Sequence, residues 1–404
     1  MDVTIVDGDV PYPANSGKRL RSLNLVLPLA SRHRITYIAR CNSKAEGETA
    51  ADFLRDHRIE PVMIEAPIAT KSGAGFYGRL AANVISAVPY SVQSHRLDAM
   101  RAAARSHASR KSVDLWQVEW FGYLYCVEGL GTKTVLSAHN IESLIWQRYA
   151  ETEANSLKRA YVREQWRKML AFERRSFASV ARVVAVSEPD VAVGRQLYGD
   201  IPFACVDNGV DTSFFRELRA DPTSRQILFL GALDWRPNQD AIAILLDEIF
   251  PAVRARMPDA SLAIVGRSPS PRLVERVRST PGVTLHADVP DVRPYLAASA
   301  MMAVPLRIGG GSRLKIIEAL AARLPVVSTA IGAEGLKLEP GRDIDIADEP
   351  AAIAEAIVAR LMRPAGVTDA TWSSVAGNYD WPILAERLEG IWLEAAGTKR
   401  ALSA

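Results

Sequence analysis

The chain has 404 residues, which at roughly 150 residues per domain predicts two or three domains. Apolar residues make up 48% and charged residues 24%, which excludes a disordered chain, a collagen-like repeat and a coiled-coil rod. A net charge of +3 is too small for a dedicated nucleic-acid binder, but the charge is uneven. Residues 1–200 carry 27 Lys/Arg against 21 Asp/Glu, and residues 201–404 carry 22 against 25. The first half is therefore the one suited to an anionic partner. Cys41, Cys126 and Cys205 are odd in number and far apart, fitting neither a disulfide framework nor a CxxC metal site. A reducing, cytoplasmic compartment is expected. The opening MDVTIVDGDVP reads as a strand and not as a signal peptide. No stretch reaches the ~18 apolar residues of a membrane span.

In chain order, Val3–Val6 predicts a strand and Arg19–Ala30 a helix with Leu20, Leu23, Leu27 and Ala30 on one face. Arg34–Ala39 reads as a strand, Ala50–His57 as a helix and Pro61–Ile64 as a strand. Ser112–Glu119, Lys133–Ala138 and Val183–Val186 continue the series. This βαβ alternation builds a parallel sheet with helices on both faces. Asp207–Ser224 is rich in turn formers, including Asn208-Gly209 and Asp221-Pro222. The alternation then restarts. Strands are expected at Gln226–Leu230, Ala260–Val265, Val283–His286, Met301–Pro305 and Val326–Ser328. Helices are expected at Asn238–Ile249, Pro271–Arg278, Val292–Ala298 and Leu314–Ala322. The predicted fold class is α/β with two Rossmann-like domains, 1–205 and 225–375, joined by a linker at 206–224. The aromatic tail, with Trp372, Trp381 and Trp392, ends in a helix. This helix, within 376–404, either covers the second sheet or packs back on the first domain.

The most informative stretch is PLRIGGGSRLKIIEALAARLPVVST, residues 305–329. A strand ends at Pro305, glycines follow, and a helix is expected to start near Ser312, which suits an N-cap. Gly309, Gly310 and Gly311 let a ligand approach the backbone. A helix N-terminus offers free N–H groups, and Arg313 and Lys315 add two full positive charges. A tight turn with a solvated basic end would read the same way from GGG alone. Basic residues at a helix N-terminus oppose its dipole, however, so an anionic ligand such as a diphosphate explains them better. Glu318 follows inside the helix, where it can accept hydrogen bonds from sugar hydroxyls.

This segment resembles the donor region of glycosyltransferase family 4, in particular the exopolysaccharide-associated subset with a GGG(S/T)RLK loop. PYPANSGKRLRS at 11–22, SAHNIES at 137–143, AVSEPD at 185–190, VDNGVD at 206–211, FLGALDWRPN at 229–238 and DVPDVRPYLAASAMMAVPL at 288–306 extend the resemblance over most of the chain. It implies a GT-B fold, two Rossmann-like domains facing across a cleft, and retaining transfer from a nucleotide sugar.

The resemblance carries over residue by residue. Glu318 matches the second Glu of the family's E-x7-E motif and implies a ribose contact. Gly310 stands where the first Glu belongs, so the usual contact to the donor sugar is missing. The family's basic pair after the first strand of the second domain is also missing, since the segment after Gly231 reads ALDWRPN. Arg313 and Lys315, with Arg236, are expected to take the diphosphate charge. Val289 falls where the family's backbone meets the base. In the first domain, Gly17 sits in the loop after the first strand, either an ordinary turn or, as the resemblance implies, one facing the cleft, and Lys18, Arg19 and Arg21 either meet an anionic acceptor or are simply solvated. His139 ends a strand at the edge where α/β sheets bind ligands and matches the family's His motif. Glu119 ends another strand there and is read as acceptor-side, with a buried, salt-bridged Glu as the structural alternative.

Residues 157–182 combine Lys158, Arg159, Arg163, Arg167, Lys168, Arg174 and Arg175 with an apolar face that includes Trp166. Such a helix can lie on anionic lipid or simply be a solvated face. Asp343-Ile344-Asp345 has the spacing of a metal motif but reads as a turn. The expected activity is therefore metal-independent hexosyl transfer without a cofactor. The partners are a nucleotide sugar, a glycan or lipid-linked acceptor and an anionic membrane surface, with no nucleic acid. A nucleotide-sugar epimerase-like enzyme and a non-catalytic sugar-nucleotide binder are the alternatives.

Overall fold

The computed structural model describes residues 1–68, 72–221, 223–308 and 313–397. It divides into two compact units, Met1–Asp207 with Leu384–Ala404, and Asn208–Ile383. The turn-rich segment after Asp207 thus belongs to the second unit, and the chain rejoins the first unit from Leu384.

The first unit is built on seven parallel strands. They are β1 (Asp2–Asp7), β2 (Arg34–Cys41), β3 (Ile59–Glu65), β4 (Leu115–Val118), β5 (Thr134–Ala138), β6 (Arg182–Ala185) and β7 (Phe203–Cys205). Their order is β3-β2-β1-β4-β5-β6-β7. The central strands are buried along their length, as in a sheet covered on both faces, and so read as continuous apolar runs. Ile38, Trp116, Val118, Leu136 and Val183 centre the core. β7 is three residues long, too short for a periodic signal.

The second unit repeats the plan with β8 (Gln226–Leu230), β9 (Ser261–Gly266), β10 (Val283–Ala287), β11 (Met301–Val304), β12 (Val326–Ser328) and β13 (Asp345–Ile346), ordered β10-β9-β8-β11-β12-β13. Phe229, Val265, Met302, Ile316 and Leu320 lie in its core. The predicted helix 238–249 is a helix Arg236–Ile244 that continues through one wider turn, Leu245–Ile249, into Phe250–Arg256.

Two expectations are corrected here. Asp343-Ile344-Asp345 is not only a turn, because Asp345 opens β13. Asp343 is held by Arg342 and by the Thr371 hydroxyl at 2.7 Å, and Asp345 by Arg360, so each carboxylate already has its cation. The basic helix Ser156–Ala178 buries Lys168, whose Nζ donates to the carbonyls of Asn83 and Val84 at 2.8 and 2.9 Å. Lys168 therefore caps the end of the helix Gly73–Asn83, leaving Arg163 and Arg167 on the exposed side.

Candidate functional site

In each sheet the strand order reverses once, between β1 and β4 and between β8 and β11. Open α/β sheets bind ligands outside the carboxyl ends of the strands at such a point. Each unit carries a polar cluster there.

In the first unit, β1 ends at Asp7, β4 runs into Glu119 and β5 into His139. Side chains alternate along a strand, so Gln117 and Glu119 share one face, as do Ser137 and His139 on the neighbouring strand. Glu119 is 2% exposed. Its Oε2 accepts from the Ser22 hydroxyl at 2.8 Å and faces His139 Nε2 at 3.3 Å. Its Oε1 accepts from Ser137 at 3.2 Å and from the Gln117 amide. Asp7 is equally buried and takes Lys18 Nζ, the Tyr37 hydroxyl at 2.8 Å and the Asp9 N–H at 3.0 Å. Burial, with repulsion from Glu119, raises the Asp7 carboxyl above its usual range against the pull of Lys18. Burial opposes ionisation of Glu119 too, but His139, Lys18 and the amide of Gln117 outweigh it and hold that carboxyl low. Two carboxylates with different proton affinities therefore share one cation.

Gly17 opens the helix Gly17–Val26, whose N-cap Ser16 accepts from the Arg19 N–H at 3.3 Å. Arg19 is committed to Asp9, through 2.9 and 2.7 Å contacts, and to Glu46. Arg21 is a correction. It is 3% exposed and donates to the carbonyls of Asp207 and Val206 at 2.7 and 2.6 Å, so it anchors the end of the unit instead of meeting an acceptor. Glu119 has the form of the structural alternative, a buried carboxylate paired with His139. The structure brings Glu119, Lys18 and His139 together. Asp7, Ser22 and Gln117 join them without having been singled out in the sequence. For Asp7 and Gln117 the signal was a polar residue near the end of a buried strand, and for Ser22 a polar residue among the apolar ones of a helix.

In the second unit, β8 ends next to Gly231 and β9 at Gly266. A Cβ on Gly266 would stand 1.8 Å from the Gly231 carbonyl oxygen, so this approach needs glycine. Lys315 Nζ donates to Asn238 Oδ1 at 2.8 Å and lies 4.8 Å from the centre of the Phe229 ring. Asn238 Nδ2 donates to the Ala232 carbonyl at 2.8 Å, which fixes the amide's orientation. Arg307 pairs with Asp240 through 3.0 and 2.7 Å contacts. The segments on both sides of residues 309–312 are thus tied to the one helix Arg236–Ile244.

Burial, with repulsion from Arg313, lowers the Lys315 ammonium to about 7, opposed by Glu318. Burial raises the Glu318 carboxyl to about 7, opposed by Lys315. A dianion added beside Lys315 would relieve its cost. Arg313 occupies the N-cap position of the helix Leu314–Ala321 and reaches Glu334 Oε2 at 3.2 Å. The helix starts at Leu314, as the strand–helix alternation predicts. Gly309, Gly310, Gly311 and Ser312 lie outside the described residues. Arg236 is exposed at the start of its helix, after the 51%-exposed Trp235. Val289 follows the edge strand β10 and packs partly into the core. Asn238 and Gly231 were not singled out in the sequence.

Residues 23–214 match the family described as Glycosyltransferase Family 4, and residues 224–363 the one described as Glycosyl transferases group 1. Both halves of the chain are glycosyltransferase domains. The glycosyltransferase is 23% identical over 401 residues to an uncharacterized 44.6 kDa protein in the cps region of Klebsiella pneumoniae, covering 94% of this chain and 96% of that one. Its fold is shared with a sucrose-phosphate synthase from Thermosynechococcus elongatus, with a TM-score of 0.72, 15% identity and 98% of each chain covered. It is shared also with Anabaena HepE in complex with UDP-glucose, with a TM-score of 0.67, 13% identity and 98% and 100% coverage. The glycosyltransferase therefore has the GT-B fold, two parallel-sheet Rossmann-like units. No helix among its described residues is long and apolar enough to cross a membrane.

Proposed function

We propose that this glycosyltransferase is a retaining hexosyltransferase that moves a sugar from a nucleoside-diphosphate donor to a glycan or lipid-linked acceptor during assembly of a bacterial surface polysaccharide. The observation that carries the reading is Lys315, half-buried on Asn238 beside Gly231 at the strand-order reversal of the second unit, with Arg313 two positions before it at the N-cap. Two cations at a helix start suit a diphosphate and stabilise the charge that develops on it as the sugar leaves. Glu318 takes the ribose, and Arg236, Val289 and residues 309–312 complete the donor side. His139 lies on the acceptor side with Gly17 and Lys18. The acceptor hydroxyl's proton passes to the departing phosphate, as the resemblance implies.

The relative from a cps region supports polysaccharide assembly, and a neighbour solved with UDP-glucose supports a nucleotide sugar. The three free cysteines support a cytoplasmic setting. Charge neutralisation by Arg313 and Lys315 gives the metal-independent, cofactor-free form of the reaction. The test is a screen of UDP-, GDP-, ADP- and TDP-sugars with and without lipid extract, in EDTA and in Mg²⁺. Acceptor-dependent release of the nucleoside diphosphate, undiminished by EDTA and with the donor's anomeric configuration kept, is expected. Isomerisation of the donor alone would favour the epimerase-like alternative. Binding without turnover would favour the non-catalytic one.

A further inference from the structure

The C-terminal helix Trp381–Ala396 reaches the cluster around His139 through a chain of buried polar side chains. Trp392 is fully buried, and its indole Nε1–H donates to Gln117 Oε1 at 2.5 Å. Gln117, 2% exposed, donates its Nε2–H to Glu119 Oε1, and Glu119 Oε2 faces His139 Nε2 at 3.3 Å. The chain has one sense. An indole N–H can only donate, so the amide of Gln117 must turn its oxygen to Trp392 and its NH₂ to Glu119. An ionised carboxylate can only accept, so Glu119 Oε2, aimed by the bond that Gln117 makes to Oε1, favours the His139 form with its proton on Nε2, across a 3.3 Å contact that is not aligned as a hydrogen bond. The far end is fixed as well. Glu389, on the same helix, accepts from His33 Nε2 at 2.7 Å and pairs with Arg32 at 3.2 Å, and the His33 ring meets Trp392 edge-on at 5.8 Å. A buried polar chain is a poor choice for stability alone, because each member is costly if left unpaired.

We propose that Trp392, Gln117 and Glu119 are positioning residues that hold His139 in one orientation and one tautomer. The inference rests on the proposed role of His139. The C-terminal helix is then part of the acceptor-side machinery of the first unit, not only a cover for its sheet.

The test uses the full chain labelled with ¹⁵N-histidine, and the variants Gln117→Met and Trp392→Phe. In the wild type the His139 ring nitrogens should show a single tautomer protonated on Nε2. In each variant they should show a mixture. With the nucleotide sugar that turns over in the screen above, each variant should lose about tenfold in kcat, with donor KM within about twofold. The double variant should be no slower than Gln117→Met, because both act through one chain. If Trp392→Phe does not fold, Gln117→Met carries the test. Where His139→Ala is impaired, an unmoved tautomer pattern and unchanged kcat in both variants overturn the inference alone. Full activity in His139→Ala overturns the role of His139 and the inference with it. If no donor turns over, the tautomer pattern decides.

Discussion

The ammonium of Lys315 sits 2.8 Å from Asn238 Oδ1 and 2.8 Å from where a Cβ would stand on Gly231. The same Cβ would stand 2.8 Å from Asn238 Nδ2. Both obstacles are ends of side chains and not backbone, so Gly231→Ala pushes the pair aside instead of breaking the strand. The expected result is a folded protein, destabilised by about 1–3 kcal/mol, with a clearly raised donor KM. A thermal melt and a donor titration check it. An unchanged KM would remove Gly231 and Lys315 from the donor site.

Proton linkage at the same site sets a pH dependence. Lys315 titrates near 7 in the folded chain, below its ordinary value of 10.5, and a bound dianion favours its charged form. Above pH 7 the free protein must take up a proton to bind, so affinity for a nucleoside diphosphate falls as pH rises, by up to about tenfold per unit. Calorimetry from pH 7.5 to 9.5, above the ligand's own titration, should show this fall in the wild type. Lys315→Arg, which stays charged, should flatten it. For stability, the unfolded chain holds the extra proton on Lys315 between about 7 and 10.5, so stability rises with pH there. Glu318, raised from 4.5 to about 7, makes the folded chain hold the extra proton in that window, so stability falls as pH rises through it. The two contributions meet in a minimum near pH 7, which Glu318→Gln should shallow on the acid side.

Arg313→Ala removes a charge-assisted contact to the departing diphosphate. The loss should be about 2–4 kcal/mol of transition-state stabilisation, a drop of roughly thirty- to a thousandfold in kcat/KM. Its partner Glu334 is 57% exposed at the side chain, so Glu334→Gln should cost no more than about 1 kcal/mol in stability. Comparing the two variants by turnover and melting separates a donor contact from a surface ion pair. Near-normal turnover in Arg313→Ala would sink the assignment.

The βαβ alternation was legible because strands buried on both faces read as unbroken apolar runs, and Gln226–Leu230 and Pro271–Arg278 appear in the structure with those bounds. β13, two residues long, carries no periodic signal and was missed. At the site, Arg313 and Lys315 were legible because charge at a helix start is locally unfavourable without an anion. Asn238 was not, since a polar residue early in a helix reads as solvated until the helix Leu314–Ala321 brings Lys315 to it. Gln117 and Trp392 lie 275 positions apart. Nothing local to either forecasts their hydrogen bond, although a Gln two residues before a Glu in a buried strand marks a shared polar face. Arg21 and Lys168 show the converse error. Both read as surface charge, and both are buried caps on main-chain carbonyls.

The burial of Lys168 also refines how binding to anionic membranes should be tested. The exposed cations Arg163 and Arg167 lie one turn apart on the helix Ser156–Ala178. Lys168 ties that helix to the end of Gly73–Asn83, where Tyr77, Val84 and Ile85 are 68%, 52% and 94% exposed. Apolar side chains beside cations suit the boundary between lipid headgroups and acyl chains, and each Lys or Arg near an anionic bilayer contributes about 1 kcal/mol. The expected result is weak co-sedimentation with vesicles containing phosphatidylglycerol, reversed by high salt because screening shortens the reach of exposed charges. Arg163→Glu with Arg167→Glu should abolish it and leave the melting temperature and donor hydrolysis intact. Ile85→Ser should weaken it without changing its salt dependence. Lys168→Glu is unsuited to the test, because it leaves the carbonyls of Asn83 and Val84 without their donor and destabilises the fold. Equal binding to neutral and anionic vesicles, or binding to neither, would leave the basic face as a solvated surface.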